Sequence, residues 1–421
     1  MSTVEYDAII VGARVAGSSL ALLLGRQGWR VLLVDRAGFP SGTLSTHLVM
    51  SGPGSALDRL GVREEIEANG VRPMRRARTY VNDCLFEGPL TLAGPGSYLI
   101  CPRREWLDQV LIDHAVQHPT VEFRERTSIE GLLWDDGRVV GVTVRTQNGR
   151  RFEARSRVVI GADGKHSRVA QWVGAASYNE VAMQRPVYCA YYEGVRPLAE
   201  PSFELFFDDE GHTALVAPME PGVDCLILEI LPEEFSAYRS APAAAFEAGV
   251  RQLPGMASRL EGARRQGLIR GTRGVENYFR VPYGPGWALT GDAAYCKDPI
   301  TGLGIGDAFT QAFFLRDALE AVFAGRDWRA TMAAYQERRD RAVMPAYEQT
   351  VALARSSAVP PEAIGWVRAV VGNPWQARSL AVNMAGVVTA PGLFPEDTAR
   401  MLARRADAFG LASDPAMRLA S

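Results

Sequence analysis

Glycine-rich turns with isolated carboxylates are the segments of this chain best suited to chemistry, and what they suit is nucleotide binding. Gly12-Ala-Arg14-Val-Ala-Gly17 follows the apolar run Asp7-Ala-Ile-Ile-Val11 directly. Asp35 stands 23 residues after Gly12, at the end of Arg30-Val-Leu-Leu-Val34. Gly12 permits a tight turn out of a strand, and Gly17 lets the next helix pack closely on the sheet. The helix start then offers unpaired backbone N–H groups and a positive dipole end to a pyrophosphate. Asp35 is spaced to accept hydrogen bonds from a ribose. One position departs from the dinucleotide fingerprint, because Arg14 stands in place of its middle glycine. An arginine there must turn its side chain outward or pair with a phosphate itself.

Two later segments repeat the theme. The apolar run Val158 to Ile160 ends in Gly161-Ala-Asp163-Gly164. Residues 286–307 pass through Gly291-Asp292, cross Pro299 and reach Thr301-Gly302-Leu303-Gly304 before a helix opens near Ile305. Five cysteines, Cys84, Cys101, Cys189, Cys225 and Cys296, are widely spaced, with no CxxC pair and no histidine at metal-ligand spacing. That pattern predicts neither a disulfide framework nor a metal site.

The elements that must position these turns follow from hydrophobic pattern. The first forty residues read strand, glycine turn, helix, strand, acid, with Gly28 as the helix stop. With the later apolar strands this predicts an α/β fold built on a doubly wound, Rossmann-like sheet. Between the second and third turns, Val187 to Glu193, Phe203 to Phe207, Thr213 to Ala217 and Cys225 to Ile230 are separated by Gly, Pro and Asp breaks. They read as an inserted, mostly antiparallel sheet. Residues 242–264 read as helical, and a strand near 267–273 leads back. The nucleotide domain is therefore discontinuous (1–80, 98–178 and 275–330), with a substrate-binding domain at 81–97 and 179–274. A C-terminal helical region, 331–421, would serve as a cap or a dimer surface. The pattern is helical from about 308 to 356, broken at Pro360 and Pro361, and helical again to about 410.

Tyr188, Tyr191, Tyr192, Phe203, Phe206, Phe207, Tyr278, Phe279 and Tyr283 crowd the middle of the chain. Each alone suits a core; together they favour an apolar or aromatic substrate. The 421 residues, 47% hydrophobic and 22% charged, describe a globular chain with enough core to enclose a cofactor. A net charge of -2 gives no global pull toward nucleic acid or an anionic membrane. Of 46 basic residues only Lys165 and Lys297 are lysines, and the arginines are scattered. The N-terminus lacks a basic leader, and no apolar stretch approaches the ~20 residues of a membrane span. A cytoplasmic location is the expectation.

GARVAG, GADGKHS and GDAAYCKDPITGLG, in this order, resemble the para-hydroxybenzoate hydroxylase-like group of FAD-dependent monooxygenases. That group is related to the geranylgeranyl reductases and flavin halogenases. The resemblance spans roughly residues 5–325 and implies FAD as cofactor. It implies that Gly12, Arg14, Gly17, Asp35 and Arg36 hold the ADP half. Arg104, in Arg-x-x-Leu-Asp, would reach the phosphates, with Arg103 as the alternative. Asp163 would lie near the cofactor and the nicotinamide donor. Gly291 and Asp292 would meet the ribityl or pyrophosphate segment. Pro299 would shape the cofactor loop, and Thr301, Gly302, Leu303 and Gly304 would bring backbone N–H groups to the flavin pyrimidine edge, where negative charge collects on reduction. The group often carries an arginine where this chain has Ala170, which bears on nicotinamide binding.

The resemblance implies a monooxygenase, hydroxylase or epoxidase, acting through a flavin C4a-hydroperoxide on an aromatic or polyketide-like small molecule in natural-product tailoring. O2 is the co-substrate. NAD(P)H is the electron donor, bound here or used through a separate flavin reductase. Such chemistry needs no protein nucleophile. Two residues are catalytic candidates. His47, in Leu44-Ser-Thr-His47, reads as an acid/base, a flavin contact or a hydrogen-bonded structural histidine. Lys297 reads as a charge beside the flavin or as a surface salt bridge. Cys296 reads as a buried thiol ahead of a flavin attachment point. The alternative is a reductase saturating C=C bonds like the geranylgeranyl reductases. A halogenase would need a lysine between flavin and substrate and usually a WxWxIP segment, and no WxW occurs. A non-catalytic FAD-fold binding protein would have little need of the Pro299 to Gly304 loop. The expected assembly is a monomer or homodimer.

Overall fold

The computed structural model describes residues 5–90, 96–182 and 185–355. The helices expected beyond Pro360, and with them most of the C-terminal region, lie outside the described residues.

Strands with buried apolar segments, Ala8 to Ile10, Val31 to Val34, Val158 to Ile160 and Trp287 to Leu289, form the centre of an eight-stranded sheet. Trp287–Leu289, Arg151–Gly161, Tyr6–Val11, Val31–Val34 and Val121–Arg124 run parallel in that order. Strands buried on both faces read as continuous apolar runs. Alternate residues serve two layers here. Ile10, Leu33, Ile160 and Ala288 meet the helices Val15–Arg26, Arg104–Val116 and Gly304–Phe323. Ile9, Leu32, Val159 and Leu289 meet the antiparallel hairpin Ser128–Asp135 and Arg138–Arg145 and the short helix Arg168–Trp172. Helix Val15–Arg26 ends as its sequence predicts, with Gly28 at φ 77° and its N–H on the Gly25 carbonyl.

The inserted sheet has seven strands in the order Arg264–Thr272, Val187–Glu193, Val223–Glu229, Thr213–Pro218, Ser202–Phe207, Arg76–Val81 and Cys84–Pro89. All pairings are antiparallel except that of Arg76–Val81 with Ser202–Phe207. Residues 76–80, assigned from sequence to the nucleotide domain, thus belong to this sheet. They form a local hairpin with Cys84–Pro89, but the strand that joins this hairpin to the sheet, Ser202–Phe207, lies more than a hundred positions away. One face carries Tyr188, Tyr192, Phe206 and Leu228 into helices Phe235–Ser240, Pro242–Gln252 and Met256–Arg259. The other face carries Cys189, Tyr191, Phe203, Leu205 and Ile227, and it packs on Leu48, Leu99 and Cys101. Period-2 alternation thus divides the aromatic residues, leaving Tyr191 and Phe203 on the side of the glycine turns.

A third sheet, Ser177–Val181, Asn277–Arg280 and Tyr295–Cys296, lies under the long helix Trp328–Arg355. Phe279, Tyr295, Val343, Tyr347 and Val351 form their shared core. Fully buried Arg339 ties them, donating to the carbonyls of Arg280 and Ala294 and to the Tyr178 hydroxyl, with Asp340 as its counter-ion. No described helix is long and apolar enough to cross a membrane.

Candidate cofactor and active site

The three glycine turns touch one another at the C-terminal ends of the parallel strands, where ligands bind in open α/β sheets. Gly12 has φ 107°, and a Cβ there would sit 2.3 Å from the Ala162 carbonyl oxygen. A Cβ on Gly17 would sit 1.8 Å from the Gly12 carbonyl oxygen, and one on Gly291 would meet Ala16 at 2.7 Å. Tyr278 closes the cluster: its hydroxyl lies 2.7 Å from the Asp292 carbonyl and 3.0 Å from that of Lys165.

Helix Val15–Arg26 starts without a side-chain cap. Its first N–H groups, from Val15 to Gly17, have no partner within the helix. Asp35 holds the turn itself, accepting from Ala13 N–H through Oδ2 and from Ala37 N–H through Oδ1, both at 2.8 Å. Each oxygen keeps a further lone pair for a ribose. Arg14 takes the outward course. It donates to Ser41 and to Asp108 Oδ2 at 2.7 Å. Buried Asp108 also receives Arg104 through both oxygens, at 2.8 and 3.1 Å. Two guanidinium groups share one carboxylate, which leaves one net positive charge beside an uncapped helix start. Asp108 is the acid of the Arg-x-x-Leu-Asp pattern, and the (i, i+4) spacing sets it against Arg104.

Arg103 points the other way. It donates to Glu220 at 2.5 Å and to Gln266 at 2.8 Å, and its guanidinium lies 4.4 Å from the centre of the Tyr191 ring. Of the two candidate arginines, Arg104 is thus the one joined to the glycine turn. Arg36 is exposed. Asp163 caps helix Arg168–Trp172, accepting from the Ser167 hydroxyl at 2.5 Å and from the N–H groups of Arg168 and Val169. Asp292 is reached by solvent, yet protein on every side pushes its carboxyl up to about 6. Arg104 and Lys165 oppose that rise, and Asp307 adds to it.

The third turn is built to expose backbone. Asp298 Oδ1 accepts from Ile300 N–H and starts the short 3-10 turn Pro299–Thr301. Thr301 is held by Thr350 of the long helix at 2.9 Å. Gly302, at φ 68°, abuts Leu48. Helix Gly304–Phe323 again lacks a side-chain cap, and a Cβ on Gly304 or Gly306 would have no neighbour within 4 Å. A helix start that is positive, uncapped and open is where an electron-rich ring edge would be stabilised. Two uncapped helix starts, a surplus guanidinium and an open carboxylate form a set that fits FAD.

Neither catalytic candidate is free for proton transfer as it stands. His47, wholly buried at φ 59°, has Nδ1 on the Pro102 carbonyl at 3.1 Å and Nε2 on the Tyr191 hydroxyl at 2.9 Å. The carbonyl fixes the proton on Nδ1, so Nε2 accepts from tyrosine. Both ring nitrogens thus have hydrogen-bond partners, which is what the structural reading of His47 expects. Lys297 does not form a surface salt bridge. Its ammonium is buried 2.9 Å from Asp307, in the first turn of the Gly304 helix. Cys296 is a buried thiol, with its pKa raised by that burial.

Sequence reading missed one buried charged group. Glu229, Asp298 and Arg185 meet behind the third turn. Burial pushes Glu229 well up and Asp298 to about 6, Asp298 raises Glu229 further, and Arg185 opposes both. Glu229 Oε2 and Asp298 Oδ2 have no hydrogen-bond partner. The signal was an acid in the otherwise apolar run Cys225-Leu-Ile-Leu-Glu229. Spacing also gave no sign of metal ligands, yet the fold gathers His47, Cys189 and Cys225 with their ligand atoms within 4.8 Å of one another.

The profile of the family described as "FAD binding domain" matches residues 5–240, more than half of the chain. The chain belongs to this FAD-binding family. Among its relatives, a 1H-pyrrole-2-carbonyl-[peptidyl-carrier protein] brominase of Pseudoalteromonas luteoviolacea is 24% identical over 79% of this chain and 82% of its own. A digeranylgeranylglycerophospholipid reductase of Methanosarcina acetivorans is 26% identical over 76% of each chain. The crystal structure of p-nitrophenol 4-monooxygenase from Pseudomonas putida superposes with a TM-score of 0.76 at 21% identity, covering 92% of this chain and 99% of that one. The flavoprotein therefore shares its fold with halogenases and monooxygenases, and its sequence relatives include a reductase.

Proposed function

We propose that this flavoprotein is a monooxygenase, a hydroxylase or epoxidase, that inserts one oxygen atom of O2 into an aromatic or polyketide-like small molecule at the expense of NAD(P)H. The observation that carries the reading is the apolar inner face of the seven-stranded sheet. Phe203, Leu205, Leu215 and Ile227 lie on it together with Leu48, the residue that abuts Gly302 in the third turn. An apolar wall beside an open, positive helix start suits an uncharged ring held over a flavin.

Bound FAD supplies electron transfer and the activation of O2. The chain binds the pyrophosphate at the Val15 helix start with Arg104, and the ribose at Asp35. It presents the Gly304 helix start to the flavin pyrimidine edge and excludes water with the apolar sheet face. Asp292 and the open Gly304–Gly306 backbone shape the ground between. The hydroxylase reading is preferred to halogenation because both lysines have carboxylate neighbours, Asp307 for Lys297 and Asp292 for Lys165.

The test is turnover under 18O2 with NADH or NADPH, in buffer containing bromide and chloride. The panel is resorcinol, 4-nitrophenol, a pyrrole-2-carboxyl thioester and geranylgeraniol. A product heavier by one 18O atom supports the reading. A product gaining a halogen, or two hydrogens without 18O, overturns it in favour of a halogenase or a reductase.

A further inference from the structure

The inner face of the large sheet holds a second group of reactive side chains that the flavin chemistry does not use. Cys189 and Cys225 project from the neighbouring strands Val187–Glu193 and Val223–Glu229, in which Tyr191 is the register partner of Cys225. Their sulfur atoms are 3.7 Å apart. A ring nitrogen of His47 and both sulfurs lie within 4.8 Å of one another, and all three residues are buried. Cys101, also buried, packs in the same cluster as both cysteines, with its sulfur 4.0 Å from the Thr46 carbonyl. Three of the five cysteines and the one wholly buried histidine of the described residues thus come together from four separate segments.

The distances suit a metal. In a tetrahedral zinc site with Zn–S of ~2.3 Å, two sulfurs stand about 3.8 Å apart. The observed sulfur separation is within a tenth of an ångström of that edge. The Pro102 carbonyl engages Nδ1 of His47 and fixes its proton there, which leaves Nε2 as the ligand atom, now accepting from the Tyr191 hydroxyl at 2.9 Å. Such an outer carbonyl contact is the usual device that fixes the tautomer of a metal-bound histidine. The Tyr191 hydroxyl, which now donates to Nε2, would have to turn aside. Three thiolates, one imidazole and a divalent ion leave one negative charge, and the Arg103 guanidinium acts on Cys225 from close by to offset it.

We propose that His47, Cys189 and Cys225 form a structural site for a thiophilic divalent d10 cation such as zinc, with the sulfur of neighbouring Cys101 drawn in from the Thr46 carbonyl as the fourth ligand on binding. Binding takes up one ion and releases the three thiol protons, with no change of oxidation state. His47 and Cys101 flank the strands Val49–Ser51 and Tyr98–Ile100, whereas Cys189 and Cys225 belong to the seven-stranded sheet. The ion would staple the sheet to the segment that presses Leu48 against the third glycine turn. Because the site is closed, it fills during folding.

The experiment is zinc analysis of the full-length flavoprotein made in zinc-replete cells and purified under reducing, chelator-free conditions, with zinc K-edge X-ray absorption on the same sample. The expected result is one zinc per chain, with sulfur scatterers at ~2.3 Å. Cys189→Ser and Cys225→Ser should lose it, while Cys84→Ser and His212→Ala keep it. The last control addresses the other candidate group, Asp208, Glu210 and His212, at the surface. A wild-type chain without zinc, whose five thiols all titrate once it is unfolded, overturns the proposal even if the serine variants fail to fold. Zinc retained in full by Cys189→Ser overturns it as well.

Discussion

Replacing Asp108 with asparagine should weaken the apo-protein far more than the flavin-loaded one. Asp108 is wholly buried and is the shared counter-ion of Arg104 and Arg14. Removing one partner of a buried ion pair costs ~3–5 kcal/mol, because the charge left behind is neither hydrated nor paired. Arg14, with its side chain 30% exposed, adds only ~0–1 kcal/mol, since water screens that contact. The asparagine amide oxygen can keep one hydrogen bond, returning ~1 kcal/mol. The net loss in the apo-protein is then ~2–5 kcal/mol, a fall in melting temperature of about 4–20 °C at the 2–4 °C per kcal/mol of larger domains. In the loaded protein the pyrophosphate stands in as the missing anion, so the gap between variant and wild type should narrow. Thermal melts of both proteins, stripped of flavin and resaturated with FAD, give the four numbers required. An apo variant that melts with the wild type would refute the claim that these three residues form a buried charged unit. An equal gap with and without FAD would refute the claim that the surplus guanidinium faces the phosphates.

Gly17→Ala should abolish flavin retention and lower solubility, because its Cβ would lie 1.8 Å from a backbone oxygen that cannot yield, a strain beyond the ~1–3 kcal/mol of ordinary overpacking; the flavin-to-protein absorbance ratio after purification reads it. In zinc-free protein, His47→Gln should lower stability by ~1–3 kcal/mol through the two partners it leaves unpaired, while the flavin midpoint potential stays at the wild-type value. A shifted potential would restore His47 as a flavin-side residue. The Glu229 and Asp298 carboxyls keep their protons in the folded state to higher pH than in the unfolded chain, where carboxyls titrate near 4. Folded protein binds more protons across that window, so stability should fall as pH rises from about 4 through about 6. Urea unfolding at intervals from pH 4.5 to 8 should show that slope, and Glu229→Gln should flatten it.

Much of the cofactor cleft was legible before any fold was known, since its requirements are local. A turn that only glycine can make, a helix that begins immediately after it, and a carboxylate one strand later are set by neighbours in sequence. Gly12, Gly17, Asp35 and Gly291 accordingly stand together in the structure. The strand Val187–Glu193 ends where its alternation and the following glycine said it would.

Tertiary structure decided what depends on partners far along the chain. Period-2 alternation says that Tyr191 and Tyr192 face opposite ways, but only the helices of residues 235–259 determine that Tyr192 is covered and Tyr191 turns toward the glycine turns. The choice between Arg103 and Arg104 rests on Glu220 and Gln266, which hold the first against the large sheet, and on Asp108, which holds the second at the turn. Lys297 stays open between a charge beside the flavin and a surface salt bridge until helix Gly304–Phe323 folds Asp307 over it. His47, Cys101, Cys189 and Cys225 carry no shared spacing at all, and they meet because antiparallel pairing brings two of them onto one sheet face and sheet packing brings the other two to it. Backbone conformation is written in neighbouring residues, whereas the environment of a buried charge or thiol is written by whichever distant segment is packed against it.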